Sequence, residues 1–215
     1  MRSLLTLILL VSVSIVPARA AAEAPLARRP EVQAALAYLK AEEPRTLEEQ
    51  IRICEIPAPP FEEARRAEYF RQKFVAAGLR DVRMDAEGNV IGVRPGRTLS
   101  PTLVFSAHLD TVFPAGTDTT VKREGTWLKA PGIADDCRGL AVMLAVLGAL
   151  NEKALATEGT VVFVGTVGEE GLGDLRGVRH LFEKEMKGKI THFISLDGSG
   201  LRVVSGAVGS HRYRV

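Results

Sequence analysis

The run TLVFSAHLD, residues 102–110, decides how the rest of the chain is read. Leu103 to Ala107 is apolar but for Ser106, the pattern of a strand buried on both faces. His108 and Asp110, which can bind metal or move protons, stand at its end. Two later runs repeat the arrangement. VVFVGTVGEE (161–170) ends in Glu169 and Glu170, and THFISLDG (191–198) carries Asp197. Between the first of these three runs and the second, APGIADDCRGL (130–140) places Asp135 and Asp136 just ahead of a helical stretch. In an open parallel sheet, ligands bind outside the carboxyl ends of the strands, so side chains distant in sequence can converge there. One histidine with several carboxylates is a donor set for a hard-to-borderline divalent metal, zinc above all.

Working outward, strands alternate with helices. Upstream, Pro30 suits the first turn of a helix over EVQAALAYLK (31–40). A second helix is expected from Thr46, with Thr46 as cap and Glu49 completing a capping box. Pro57, Pro59 and Pro60 interrupt the chain. FEEARRAEYFRQKFVAAGL (61–79) reads as an amphipathic helix. Its expected apolar face comprises Phe61, Ala64, Ala67, Tyr69, Phe70, Phe74, Val75 and Leu79, with Gly78 at the C-terminal end. DVRMD (81–85) and NVIGVRPG (89–96) are short strands about a turn at Glu87-Gly88-Asn89. VKREGTWLKAPG (121–132) reads as a hairpin turning at Glu124-Gly125, after a loop rich in Thr, Gly and Pro.

Downstream, Asp136 can cap a buried helix over GLAVMLAVLGALNEK (139–153). VRHLFEKEM (178–186) is a further helix, and LRVVSGAVGSHRYRV (201–215) reads as one or two strands. The pattern predicts an α/β fold: a three-layer α/β/α sheet with helices on both faces and right-handed crossovers.

Composition excludes several classes. MRSLLTLILLVSVSIVPARA (1–20) has a basic start at Arg2, an apolar stretch from Leu4 to Val16 and a small-x-small end at Ala18-Arg19-Ala20. That is a cleavable secretory signal peptide, too short to span the roughly 20 residues a bilayer core needs. It implies a secreted or periplasmic protein with no stable membrane insertion after cleavage. Removing it takes Arg2 and Arg19, and no acid, from 28 basic and 26 acidic residues. The mature charge is about zero, so the basic pI makes no case for nucleic acid. Cys54 and Cys137 could bridge in an oxidising compartment, or pack as two separate small side chains.

Each polar signal is weak alone. His-x-Asp can be a surface turn, Asp is an ordinary helix cap, a Glu pair is usually solvated, and Asp197 before Gly198 suits a turn. Together they coincide with four motifs in order. SAHLDTVFP, APGIADDCRGL, GEEGLGDLRG and ISLDG resemble those of the M-twenty metallopeptidases: peptidase T, aminoacylases, carnosinase-type dipeptidases and succinyl-diaminopimelate desuccinylase. ICEIPAPPFEE (53–63) resembles that family's N-terminal segment, and the resemblance covers about residues 46 to 215.

The resemblance implies a di-zinc hydrolase of short peptides, or an N-acyl amino acid deacylase of the same mechanism, with Co2+ or Mn2+ as substitute metals. As an incomplete catalytic domain the chain alone would be poorly active, and a non-catalytic metal-binding fragment is the alternative. His108, Asp135, Glu170 and Asp197 would be ligands, with Asp135 bridging two zinc ions. Asp110 would orient His108, and Glu169 would be the general base. Asp at position 197 favours the aminopeptidase or tripeptidase reading. The Asp135–Asp136 peptide bond would be cis. The implied organisation is a signal peptide (1–20), a mobile segment and first helix (21–44), the N-terminal part of a catalytic domain (45–204), and the start of a lid or dimerisation domain (205–215). A last histidine ligand would lie beyond residue 215, and the full-length protein could be a homodimer. His180, His192 and His211 match none of the motifs and are read as structural or exposed.

Overall fold

The computed structural model describes residues 25–198, 200, 202–206 and 209. The expected signal peptide and His211 lie outside the described residues. Residues Leu26–Arg28 form a 3-10 turn in the segment expected to be mobile, and α1 follows over Pro30–Ala41 with the proline in its first turn.

Helix α2 spans Glu43–Cys54 and corrects the expected start at Thr46. Pro44 occupies the first turn, where its missing N–H costs nothing. Thr46 lies inside the helix and turns its hydroxyl back onto the Glu42 carbonyl at 3.1 Å. Glu49 is no capping partner: it accepts from Tyr69 Oη at 2.7 Å and Lys73 Nζ at 2.9 Å, tying α2 to α3 (Ala64–Ala76). On α3 the buried face is narrower than expected. Ala67, Phe70 and Phe74 are buried with Arg66, whereas Phe61, Ala64 and Val75 are exposed. Phe61 precedes the helix in a loop. The helix ends in a Schellman motif. Leu79 N–H donates to Phe74 O at 3.1 Å and Gly78 N–H to Val75 O at 3.0 Å, with Gly78 at φ 75°.

Strands β1 (Arg80–Met84), β2 (Val90–Arg94), β3 (Thr102–His108), β6 (Thr160–Thr166) and β7 (His192–Ser195) form one sheet in the order β1-β2-β6-β3-β7. The sheet is mixed. β6, β3 and β7 are parallel, while β1–β2 and β2–β6 are antiparallel. β4 (Lys122–Glu124) and β5 (Trp127–Lys129) make a separate hairpin. Glu124 pairs with Trp127, so its turn is Gly125-Thr126, one residue later than expected.

Helix α4 (Cys137–Glu152) connects β3's side of the chain to β6. Helix α5 (Arg176–His180) runs on into a π-helical turn at Leu181–Glu185 and leads to β7. The step from β3 to β6 and the step from β6 to β7 run in opposite directions across the sheet. Crossovers of one hand therefore place their helices on opposite faces. The core shows this layering. Val161, Phe163, Ala107 and Val90 pack with α2, α3 and α4 side chains, including Phe74, Leu140 and Met143. Val162, Val164, Val104 and Ile91 pack with Leu181 and Met186 on the other side. Edge-to-face rings from Phe70 through Phe74 and Phe163 to Phe105 cross the first layer.

Residues 202–206 of the C-terminal stretch carry no strand, against expectation. No helix among the described residues is long and apolar enough to cross a membrane.

Candidate metal centre

Parallel register brings the carboxyl ends of three strands level. His108 pairs with Thr166 across β3 and β6, and Ser106 pairs with Ser195 across β3 and β7. The segments just beyond carry Asp110, Glu169, Glu170 and Asp197. Asp135 and Asp136 enter from the loop ahead of α4. All seven residues thus come to one edge of the sheet.

Their geometry centres on His108, which is 3% exposed. Its Nδ1 lies 3.0 Å from the Asp110 carbonyl and 3.5 Å from Asp110 Oδ1, so Nδ1–H is the donor by its partners. Nε2 then faces Asp135 Oδ1 at 2.9 Å. A bare ring nitrogen and a carboxylate oxygen repel each other at that distance unless a cation, either a proton or a metal ion, stands between them. Ligand atoms of His108, Asp135 and Asp197 all lie within 4.8 Å of one another, as do those of His108, Glu169 and Glu170. His108 is common to both groups. This donor set fits a divalent cation of the borderline class.

Asp110 is fully buried and holds the centre together. Its Oδ1 accepts from Glu169 N–H at 3.0 Å and its Oδ2 from Glu170 N–H at 2.9 Å. Asp136, also fully buried, caps α4 by accepting from Gly139 N–H at 3.1 Å. Its other oxygen accepts from His108 N–H at 3.0 Å, so one carboxylate fixes both the helix start and the strand end. The Asp135–Asp136 bond is cis.

Electrostatics follow from crowding. Burial works to lower the His108 pKa, but the hydrogen bond to Asp110 and the charges of Asp136, Asp110 and Glu169 lift it to about 10. Burial pushes Asp136 up to about 8 against the pull of His108. Burial raises Glu169, with Asp197, Glu170 and Asp110 adding repulsion. Burial and Asp135 raise Glu170. For Asp110, burial is outweighed by the bonds from His108 and the two backbone N–H groups, and its pKa falls. A cluster whose carboxylates repel one another and whose imidazole holds its proton tightly is one a cation would relieve.

Several supporting residues gave no sequence signal. Arg66 sits in an ordinary helical run yet is fully buried. It donates to Ile56 O (3.1 and 2.7 Å) and to Leu109 O (2.7 Å), pinning the chain between His108 and Asp110. Asn89 accepts from Val167 N–H at 3.0 Å and donates to Gly177 O at 2.9 Å. A charged residue in a helical run, or an Asn in a turn, is too common to be singled out. Cys54 and Cys137 are both buried and unbridged. His180 lies 4.0 Å from Asp85, and His192 is exposed, so neither joins the centre.

An α/β/α sheet carrying a histidine–carboxylate cluster at the ends of its parallel strands defines the zinc-peptidase class of folds. A family model described as Peptidase family M28 matches residues 89–205, more than half of the chain, and the chain belongs to that family. Solved structures of the M-twenty type are similar to it, as the motifs suggested. A tripeptidase from Staphylococcus aureus is 27% identical with a TM-score of 0.60, covering 74% of this chain and 44% of that one. Aminopeptidase PepT from Bacillus cereus is 27% identical with a TM-score of 0.61, covering 73% and 44%. The Bacillus subtilis protein YqjE is 33% identical over 140 residues, 60% of this chain and 37% of that protein. The chain spans less than half the length of these relatives.

Proposed function

We propose that the chain carries the metal centre of a zinc-dependent hydrolase that cleaves amide bonds of short peptides, in the manner of an aminopeptidase or tripeptidase. The observation that carries this reading is that His108 brings its ligand atoms within 4.8 Å of those of Asp135 and Asp197 in one group and of Glu169 and Glu170 in another, at one sheet edge. The tripeptidase and aminopeptidase likenesses support the substrate class.

In this reading His108, Asp135 and Asp197 hold one ion, and Asp135 and Glu170 contribute to a second. Bound zinc would act as a Lewis acid, polarising the scissile carbonyl and bringing the pKa of water toward about 7. Asp110 keeps the His108 ring oriented with Nε2 facing Asp135, so that Nε2 would be the ligand atom. Glu169, held by its backbone bond to Asp110, takes the proton of the attacking water and passes it to the leaving amine. Its raised pKa suits a group that must both accept and return a proton. Residues 45–204 then belong to the catalytic domain. The composition of residues 1–20 supports a cleaved leader and a secreted or periplasmic location.

The test is to count zinc per chain by elemental analysis and to assay the protein on di- and tripeptides beside N-acyl amino acids. Metal uptake by this chain, with peptide turnover by the full-length protein, is the expected result. Preference for N-acyl amino acids would reassign the substrate to the deacylase class. No metal uptake would refute the reading.

A further inference from the structure

The segment from Val167 to Gly177 closes on itself. Gly177 N–H donates to Val167 O at 3.0 Å, and Asn89 bonds to both residues. At one end of this ring Glu169 and Glu170 donate to Asp110. The side chain of Arg176 packs against Gly168 at the start of this ring. A β-carbon added to Gly168 would lie 2.3 Å from Arg176 Nη1 and 2.7 Å from its Cγ, and Gly168 has φ 61°. Only glycine therefore lets the guanidinium pack directly beneath the backbone that precedes Glu169.

The guanidinium is itself anchored from outside the ring. Nη2 donates to both oxygens of Glu63 at 2.9 Å, and Nε lies 3.3 Å from Glu87 Oε1. Phe61 stacks over it with 5.0 Å between the guanidinium carbon and the ring centre. Glu63 is only 4% exposed and also accepts from Phe61 N–H at 3.2 Å. Nη1 is buried without a hydrogen-bond partner among the described residues. A buried ion pair with an unsatisfied donor gives little net stability, since apolar residues of similar volume usually serve as well or better. What this arrangement supplies is a rigid link between the 61–63 segment and the backbone at Gly168.

We propose that Arg176 is a positioning residue that sets the orientation of Glu169, acting through Gly168 and braced by Glu63 and Phe61. The proposal rests on the assignment of Glu169 as the base. Displacing a group from its working position typically costs about 10- to 100-fold in rate. Arg176→Met should therefore lower kcat about 10- to 100-fold while KM and zinc per chain stay within about twofold of the parent. Arg176→Lys, which restores the ion pair with Glu63 but not the guanidinium contact with the Phe61 ring, should recover part of that loss. In a Glu169→Gln background, Arg176→Met should change residual turnover by less than about twofold, because the group it positions is gone.

A folded Arg176→Met with parental kcat would overturn the proposal, as would a kcat loss matched by zinc loss. A loss undiminished in the Glu169→Gln background would overturn it too. If Arg176→Met does not fold, Arg176→Lys carries the same cycle, with a kcat loss that vanishes in Glu169→Gln expected and one that persists decisive against. Failure of the underlying reading looks different, since Glu169→Gln alone would then turn over at the parental rate.

Discussion

Glu169 and Glu170 are adjacent, yet the structure gives them different company. Both backbone N–H groups go to Asp110, but their side chains meet different repelling charges: Asp197 is foremost for Glu169 and Asp135 for Glu170. Glu169→Gln keeps the shape and the backbone bond while removing the carboxylate proposed as the proton acceptor. Turnover should fall about 10²- to 10⁴-fold with zinc per chain retained, read by steady-state kinetics and elemental analysis. Asp135→Asn should do the reverse, losing metal first, because the carboxylate 2.9 Å from His108 Nε2 would carry no charge to balance an ion. Zinc titration would show the weaker binding. The donor types were readable from the sequence because they stand at the ends of apolar runs. Arg66, Asn89, Glu63 and Arg176 were not, because their roles depend on partners 10 to 113 positions away that no local pattern reports.

Helices and strands were legible wherever periodicity was strong. α4, capped by Asp136, and the strands β3, β6 and β7 lie where the pattern put them. The start of α2 was misplaced because Thr46 looks like a cap until its hydroxyl is seen bonded to Glu42 O within the helix. The α3 face was read too broadly because Phe61 belongs to a loop that the helix pattern swept in. The Schellman end of α3 offers a clean test. Gly78 has φ 75° and open space around it, so Gly78→Ala meets only backbone strain. It should cost about 1 kcal/mol in urea unfolding. Phe163→Ala removes a fully buried ring from between Phe74 and Phe105 and should cost about 3–5 kcal/mol.

Across the whole molecule, the crowded centre couples fold stability to pH. In the metal-free protein, Asp136 has its pKa raised from 3.8 to about 8 and His108 from 6.5 to about 10. In both cases the folded state binds protons more tightly than the unfolded chain, so stability falls as pH rises. The His108 contribution is fully present below 6.5 and is lost toward about 10, while that of Asp136 is lost between 3.8 and about 8. Both act in the same direction from 6.5 to about 8. Thermal melts of chelator-treated protein should therefore show Tm falling across that window. Zinc should raise Tm most at the alkaline end, where it replaces the missing protons, and its uptake should release protons measurable by calorimetry in different buffers.

The amino-acid pattern alone established the α/β class, the strands that bear the polar residues, the helix capped by Asp136 and the donor types that suit a divalent metal. These depend on local burial and short-range hydrogen bonding, which leave period-two and period-3.6 traces in a single segment. Folding in three dimensions decided the rest: the strand order β1-β2-β6-β3-β7, the antiparallel side of the sheet, the opposite placement of α4 and α5, and the ring from Val167 to Gly177. Those features arise from pairings between residues far apart in the chain. A strand's composition says that it is buried, but which neighbour buries it is settled by the balance of packing and crossover hand across the whole sheet.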